Sequence, residues 1–273
     1  MRNTGYNVRE RLFGGNSMNK VDFRVYGELN SIIWKNHGEK DISIQLESTH
    51  SVKDLVESLG IPHGEVGLLL VDGEVEDFGR KLHGGERVSV YPVFRSIEVA
   101  QVSKTLLEYP KPPRFILDVH LGKLARYLRM LGFDTIYEVE GEDSWLADKS
   151  EAEGRVLLSF DRELLMRKKV PFPYLVRSRY PLEQLREVVE RFGLLDQIEP
   201  LTRCMVCNGV LEPVDKEEII GILPKSVAEI NDIFKKCDLC GKVYWSGTHT
   251  QGMDKIIENL RHDICNGWKV HGK

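Results

Sequence analysis

The sequence predicts an α/β chain: a parallel sheet with helices on both faces, preceded by a small α+β domain and followed by a metal-held module. Three observations carry this. Between Arg114 and Phe192, short apolar runs alternate with stretches of helical period, the pattern of a parallel sheet with crossover helices. Ahead of it, between Val21 and Val93, runs of two-residue period surround a single helical stretch. Behind it, four of the five cysteines stand in two C-x-x-C pairs.

Composition bounds the classes. The chain has 273 residues, 41% of them hydrophobic, enough for two packed cores. No apolar run approaches the roughly 18 residues of a membrane span, and the N-terminal residues lack the apolar stretch of a secretory signal. A net charge of −4 means that a nucleic-acid partner has to be held by a local patch. Paired cysteines of this spacing fit metal binding in a reducing compartment, so the expected address is the cytoplasm. Residues 1–17, rich in Arg and Gly, read as a disordered extension.

Residues 18–98 form the first domain. Val21, Phe23 and Val25 alternate with polar neighbours, as do Ile42, Ile44 and Leu46, giving two half-buried strands. Ser51 is placed to cap a helix with Val52, Leu55, Val56 and Leu59 on one face. Gly67–Val71, an Asp72-Gly73 turn and Arg87–Val93 complete the series strand, strand, helix, strand, strand, a ubiquitin-like β-grasp order. GLLLVDGEV and HGGERVSVYPVF resemble the ubiquitin-like sulfur carriers of thiamine and molybdopterin synthesis. Those carriers act through a free C-terminal Gly-Gly, whereas Gly84-Gly85 is internal here. The segment therefore reads as a packing or protein-interaction module, with sulfur-transfer enzymes as one class of partner.

Residues 99–113, with Pro110, Pro112 and Pro113, read as a stiff linker. The α/β core follows at 114–199. Phe115-Ile116-Leu117 is a buried strand ending on Asp118. Leu121, Leu124, Ala125, Leu128 and Leu131 then make the inner face of a helix whose Lys123, Arg126 and Arg129 are expected to point outward. Phe133–Val139 is a second short strand and Asp143–Glu153 a helix. Val156–Phe160 is a strand ending on Asp161, and a helix over Glu163–Lys168 follows. Tyr174–Val176 and the helix Pro181–Phe192 complete the core.

Asp118, Asp143 and Asp161 each stand at a helix start, where an Asp is a favoured cap. Together, on the carboxyl edge of one sheet, they are the hard oxygen donors that select Mg²⁺ or Mn²⁺, an ion that polarises a phosphoryl oxygen and activates water. Lys123, Arg126, Arg162 and Arg167-Lys168-Lys169 read as phosphate contacts or as a solvated helix face.

The runs RFILDVHLGKLARYLRMLGFDT and DSWLADKSEAEGRVLLSFDREL resemble the Mut-seven C-terminal RNase family, a branch of the PIN-like nucleases. The resemblance implies a PIN-like core, Asp118, Asp143 and Asp161 as its metal-binding catalytic acids, and Lys123, Arg129 and Arg162 as matching basic positions. Arg126 joins these in the expected substrate-binding set. Ser159-Phe160 departs from the family's Thr-Arg, and Asp134 matches a turn position expected to be structural.

Residues 200–262 form the last module, with a tail at 263–273. Cys204-x-x-Cys207 and Cys237-x-x-Cys240 are separated by 29 intervening residues and predict four thiolates on one structural Zn²⁺. This, with Tyr244-Trp245, is similar to the zinc ribbon that closes the nuclease family's domain. Tyr244 and Trp245 either stack on unpaired bases or pack the ribbon. The expected function is a Mg²⁺- or Mn²⁺-dependent ribonuclease acting on single-stranded or structured RNA. A non-catalytic RNA- or protein-binding adaptor is the alternative.

Overall fold

The computed structural model describes residues 19–34, 41–94, 101–245 and 247–265; the extension expected at 1–17 and most of the 263–273 tail lie outside them. The chain forms two compact units. One runs to Glu108 and includes Asp161–Lys168 and Phe172–Leu175; the other holds Tyr109–Phe160, Lys169–Pro171 and the chain from Val176.

In the first unit the strands are β1 (Lys20–Val25), β2 (Asp41–Gln45), β3 (His50–Ser51), β4 (Val66–Val71), β5 (Glu74–Val75), β6 (Lys81–Leu82) and β7 (Arg87–Pro92), with helix α1 (Val52–Ser58) between β3 and β4. The mixed sheet runs β2-β1-β7-β4-β5, with β1 and β7 parallel and the other pairs antiparallel. That is a ubiquitin-like arrangement. The inward residues Val21, Phe23, Val25, Val88 and Val90 are buried, as two-residue periodicity requires. Ser51 and Asp54 close a capping box at the start of α1, which packs Val52, Leu55 and Val56 inward. Asp72 and Gly73 both take positive φ (51° and 90°), so the β4–β5 hairpin closes in two residues. Ser103, expected in an extended linker, instead donates its hydroxyl to Gly67 O at 2.7 Å, which ties the chain after β7 back to β4.

The second region contributes β8 (Phe115–Leu117), α2 (Gly122–Met130), β9 (Thr135–Tyr137), α3 (Asp143–Glu153) and β10 (Val156–Ser159). Next come α4 (Arg162–Leu165) and β11 (Phe172–Leu175), which belong to the first unit, and then α5 (Pro181–Phe192). Strand β8 is fully buried and pairs in parallel with β9 and β10 on either side. Helices α2 and α5 pack together while α3 lies against β8 and β10. Phe192 of α5 meets Phe115 edge-on, with ring centroids 5.7 Å apart. Helices α3 and α5 stop at Gly154 and Gly193, both left-handed with φ of 61°. Helix α4 is shorter than the expected Glu163–Lys168, because only Leu164 and Leu165 give it a buried face before the charged run Arg167-Lys168-Lys169.

In the first unit, β11 and α4 have specific partners. Glu65 accepts the backbone N–H of Leu175 at 2.9 Å, and the Arg162 guanidinium donates to Ile32 O.

The C-terminal module has β12 (Leu211–Val214), α6 (Lys216–Ile219), α7 (Lys225–Ile230), β13 (Phe234–Cys237), β14 (Val243–Trp245) and α8 (Thr248–Cys265). Its three strands form an antiparallel sheet, β12-β13-β14. Helix α8 returns to α5, burying Met253, Ile257 and Leu260. Among the described residues, no helix is long and apolar enough to cross a membrane.

Candidate functional site

Asp118 follows the last residue of β8, and the chain turns there because its carboxylate caps the next turn. Its Oδ1 accepts the N–H of His120 at 2.7 Å, and the Ser159 hydroxyl at the end of β10 donates to its Oδ2. The residue is 6% exposed and, among the described residues, has no ion pair. An ionised carboxylate offers about four lone-pair sites. The two hydrogen bonds leave acceptor capacity on a buried carboxyl group.

The other two acids differ. Asp161 caps α4, accepting the N–H groups of Glu163 and Leu164 at 2.8 and 3.3 Å; it is exposed and belongs to the first unit. Asp143 is the exposed first residue of α3, and Glu142 occupies the cap position without a side-chain bond. Capping is thus realised at Asp118 and Asp161 and not at Asp143.

Lys123 and Arg126 are exposed on α2, as expected. Arg129 is not. It is 5% exposed, with Nε donating to Thr135 O and Nη1 to Val206 O, each at 2.8 Å. Burial lowers its pKa, offset in part by the nearby thiols of Cys207 and Cys204 and the carboxylate of Asp134. Its position four residues after Ala125 puts it on the flank of the buried stripe, where the two carbonyls satisfy it. The expectation that it faces outward is corrected: Arg129 braces the fold. Arg162 is partly buried, and desolvation lowers its pKa.

Asp134 anchors the same corner. Arg155 grips it bidentately at 2.8 and 3.1 Å, and Asn208 Nδ2 donates to its Oδ1 at 2.8 Å. Burial pushes its carboxyl up, but the bonds from Arg155 and Asn208 more than reverse this and hold it below the ordinary range. Asn208 Oδ1 also accepts the N–H of Thr135 at 2.8 Å, so the first cysteine turn is hydrogen-bonded to the start of β9. Gly132 has φ of 98°, and a Cβ there would stand 2.3 Å from Glu199 O; only glycine fits.

The four cysteines converge. Their sulfurs lie within 4.8 Å of one another, with Cys204 and Cys240 at 3.7 Å and Cys207 and Cys237 at 3.4 Å. A tetrahedron of thiolates about 2.3 Å from zinc has edges of about 3.8 Å, so the set fits Zn²⁺. Two tight turns build it. Asn208 N–H donates to Cys204 O at 2.9 Å and Gly241 N–H to Cys237 O at 3.1 Å, with Asn208 and Gly241 at φ of 70° and 69°. Burial pushes the Cys204 thiol up, yet hydrogen bonds from Tyr244 and from the backbone of Cys207 and Val206 bring it down to about 6. Desolvation raises Cys207 to about 12 and also raises Cys237. Tyr244 is buried, its hydroxyl 3.1 Å from Cys204 Sγ and accepting the Met205 N–H, so it packs the ribbon. Among the described residues this is the group of three or more His, Cys, Asp or Glu that gathers its ligand atoms in this way; the three aspartates are not part of it.

The family model for the Mut7-C RNAse domain matches residues 113–257, and that for Mut7-C ubiquitin matches residues 18–98. The chain belongs to the Mut7-C RNAse domain family. No curated protein and no solved structure matches it.

The Mut7-C domain also carries residues that sequence reasoning did not single out. A cleft of ≈ 660 Å³ opens among His120, Lys123, Phe160, Arg179 and Gln184. Only Lys123 of these was a candidate. His120 and Phe160 each stand two residues or fewer from an expected acid, which was the available signal; Arg179 and Gln184 had none. The Ser159-Phe160 departure divides into two effects. Ser159 keeps a hydroxyl for Asp118, while Phe160 places a ring in the cleft wall.

Proposed function

We propose that the Mut7-C domain hydrolyses RNA phosphodiesters with a Mg²⁺ or Mn²⁺ ion held by Asp118. The observation that carries the reading is Asp118, a buried strand-end carboxylate with no ion pair among the described residues, in a chain of an RNase-domain family. The donor chemistry fits a hard divalent cation, which when bound would polarise a phosphoryl oxygen and lower the pKa of a coordinated water. The chain's own groups do the rest. Ser159 and the His120 N–H orient the Asp118 carboxylate. Lys123 and Arg126, exposed on α2, are the phosphate-contact candidates, with Arg162 engaged by Ile32 O. The four cysteines hold a structural Zn²⁺ that fixes the ribbon. The ubiquitin-like domain, with Gly84-Gly85 internal to the chain, acts as a protein-contact surface, and the two C-x-x-C pairs favour a reducing, cytoplasmic address.

A second reading, an RNA- or protein-binding adaptor without catalysis, is favoured by Phe160, which stands where the family pattern has a cation. The test is cleavage of a labelled mixed-sequence single-stranded RNA with and without added Mn²⁺, comparing the unmodified protein with Asp118→Asn. Omitting Mn²⁺, rather than chelating it, leaves the ribbon zinc in place. Mn²⁺-dependent cutting that is lost in Asp118→Asn supports hydrolysis. RNA binding without cutting, equal in both proteins, supports the adaptor.

A further inference from the structure

The cleft that includes His120, whose N–H is bonded to Asp118, has a composition that the overall charge does not predict. In a chain of net charge −4, its wall carries His120, Lys123 and Arg179 and no carboxylate. Among the described residues neither Lys123 nor Arg179 has a salt-bridge partner, so their charge is available to a ligand. Phe160 adds a flat apolar face. Gln184, at the start of α5, is 4% exposed, and its Nε2 donates to Ser178 O at 3.0 Å, which fixes the amide and leaves its carbonyl oxygen as an acceptor. The volume of ≈ 660 Å³ lies inside the range of small-ligand sites, about 300–1,000 Å³.

Two cations for an anion, a ring for a flat base and one oriented amide for a base edge are the parts of a nucleotide site. We infer that this cleft binds a single nucleotide monophosphate unit, with Lys123 and Arg179 on the phosphate, Phe160 stacked on the base and Gln184 on its hydrogen-bonding edge. The choice of a nucleotide rests on the proposed RNA reading; the anion-binding chemistry does not. The cleft serves as a subsite that holds one nucleotide of the substrate next to the Asp118 carboxylate.

The test is equilibrium binding of adenosine 5′-monophosphate, adenosine and inorganic phosphate to the full chain, without added Mg²⁺ or Mn²⁺. The same titrations are run on Arg179→Ala, Lys123→Ala and Phe160→Ala, with circular dichroism and zinc content as controls of folding. The expected result is that the monophosphate binds more tightly than adenosine or phosphate alone. Arg179→Ala and Lys123→Ala should each weaken it by about tenfold, as loss of a charge-assisted contact does. Phe160→Ala should weaken the monophosphate by roughly 5- to 150-fold, the range for one stacked base, and leave phosphate unchanged. Equal affinity for phosphate and monophosphate with no effect of Phe160→Ala would overturn the nucleotide assignment. Binding that ignores Arg179→Ala and Lys123→Ala would overturn the site altogether. Because no catalytic ion is present, a monophosphate site that behaves as expected stands even if the cleavage assay fails, and the converse result separates the two in the same way.

Discussion

Asp134→Ala removes the group on which the corner between α2, β9 and the ribbon depends. Arg155, whose side chain is 6% exposed, would lose its bidentate partner, and Asn208 would lose the acceptor for its amide. Truncating one partner of a buried ion pair costs about 3–5 kcal/mol. The low end applies, because the Asp134 side chain is 18% exposed and Glu153 still accepts from Arg155 Nε at 2.6 Å. A loss of about 3 kcal/mol in a domain of this size corresponds to a fall in Tm of roughly 6–12 °C, read by differential scanning calorimetry as a shift of the Mut7-C transition. The pH dependence gives an independent check. The folded-state pKa of Asp134 is depressed below its unfolded value of about 3.9, so its contribution is whole above that pH and is lost as pH falls through the folded pKa. The gap between the two proteins should hold from pH 7 to about 5 and close below about 4. A Tm change under about 2 °C at pH 7, or a gap undiminished in acid, would refute the assignment of Asp134 as the anchor.

Two further outcomes follow from the same corner and the ribbon. Arg129→Ala should lower stability by about 3–6 kcal/mol, two charge-assisted hydrogen bonds to Thr135 O and Val206 O, while leaving the salt dependence of RNA binding unchanged; a shallower salt slope would mean that it contacts phosphate after all. Purified protein should contain one Zn²⁺ per chain by elemental analysis, and Gly209→Ala should reduce that content, because a Cβ there would stand 2.6 Å from Cys237 Sγ and 2.5 Å from Asp238 Oδ1. Full zinc occupancy in Gly209→Ala would show that the turn tolerates the shift.

What was legible in the sequence is what local pattern encodes. The helix cap at Ser51, the Asp72-Gly73 hairpin, the strand Phe115–Leu117 and the convergence of the two cysteine pairs each depend on residues a few positions apart, and each took its expected form. Arg129 was misread because helical period fixes an angle around α2 without saying what lies opposite it. The carbonyl of Val206, 77 positions away, is what makes a buried guanidinium affordable there. The cleft was illegible for the same reason. Arg179 and Gln184 come from the loop before α5 and from its first turn, and nothing in their neighbours announces that they share a wall with Lys123.

Asp118 and Asp134 show how such acids are told apart. Both stand at the ends of short strands' flanking turns in the same stretch of family-like sequence, and both are largely buried. Asp134 is met by Arg155, with Arg203 at 3.8 Å and the Asn208 amide also directed at it, so its charge is spent inside the protein. Asp118 is met by one hydroxyl and one backbone N–H, neither of which carries a charge. The fold supplies two arginines to Asp134 and, among the described residues, none to Asp118. On the hydrolytic reading proposed above, that difference makes Asp118 rather than Asp134 the acid to pair with a divalent cation.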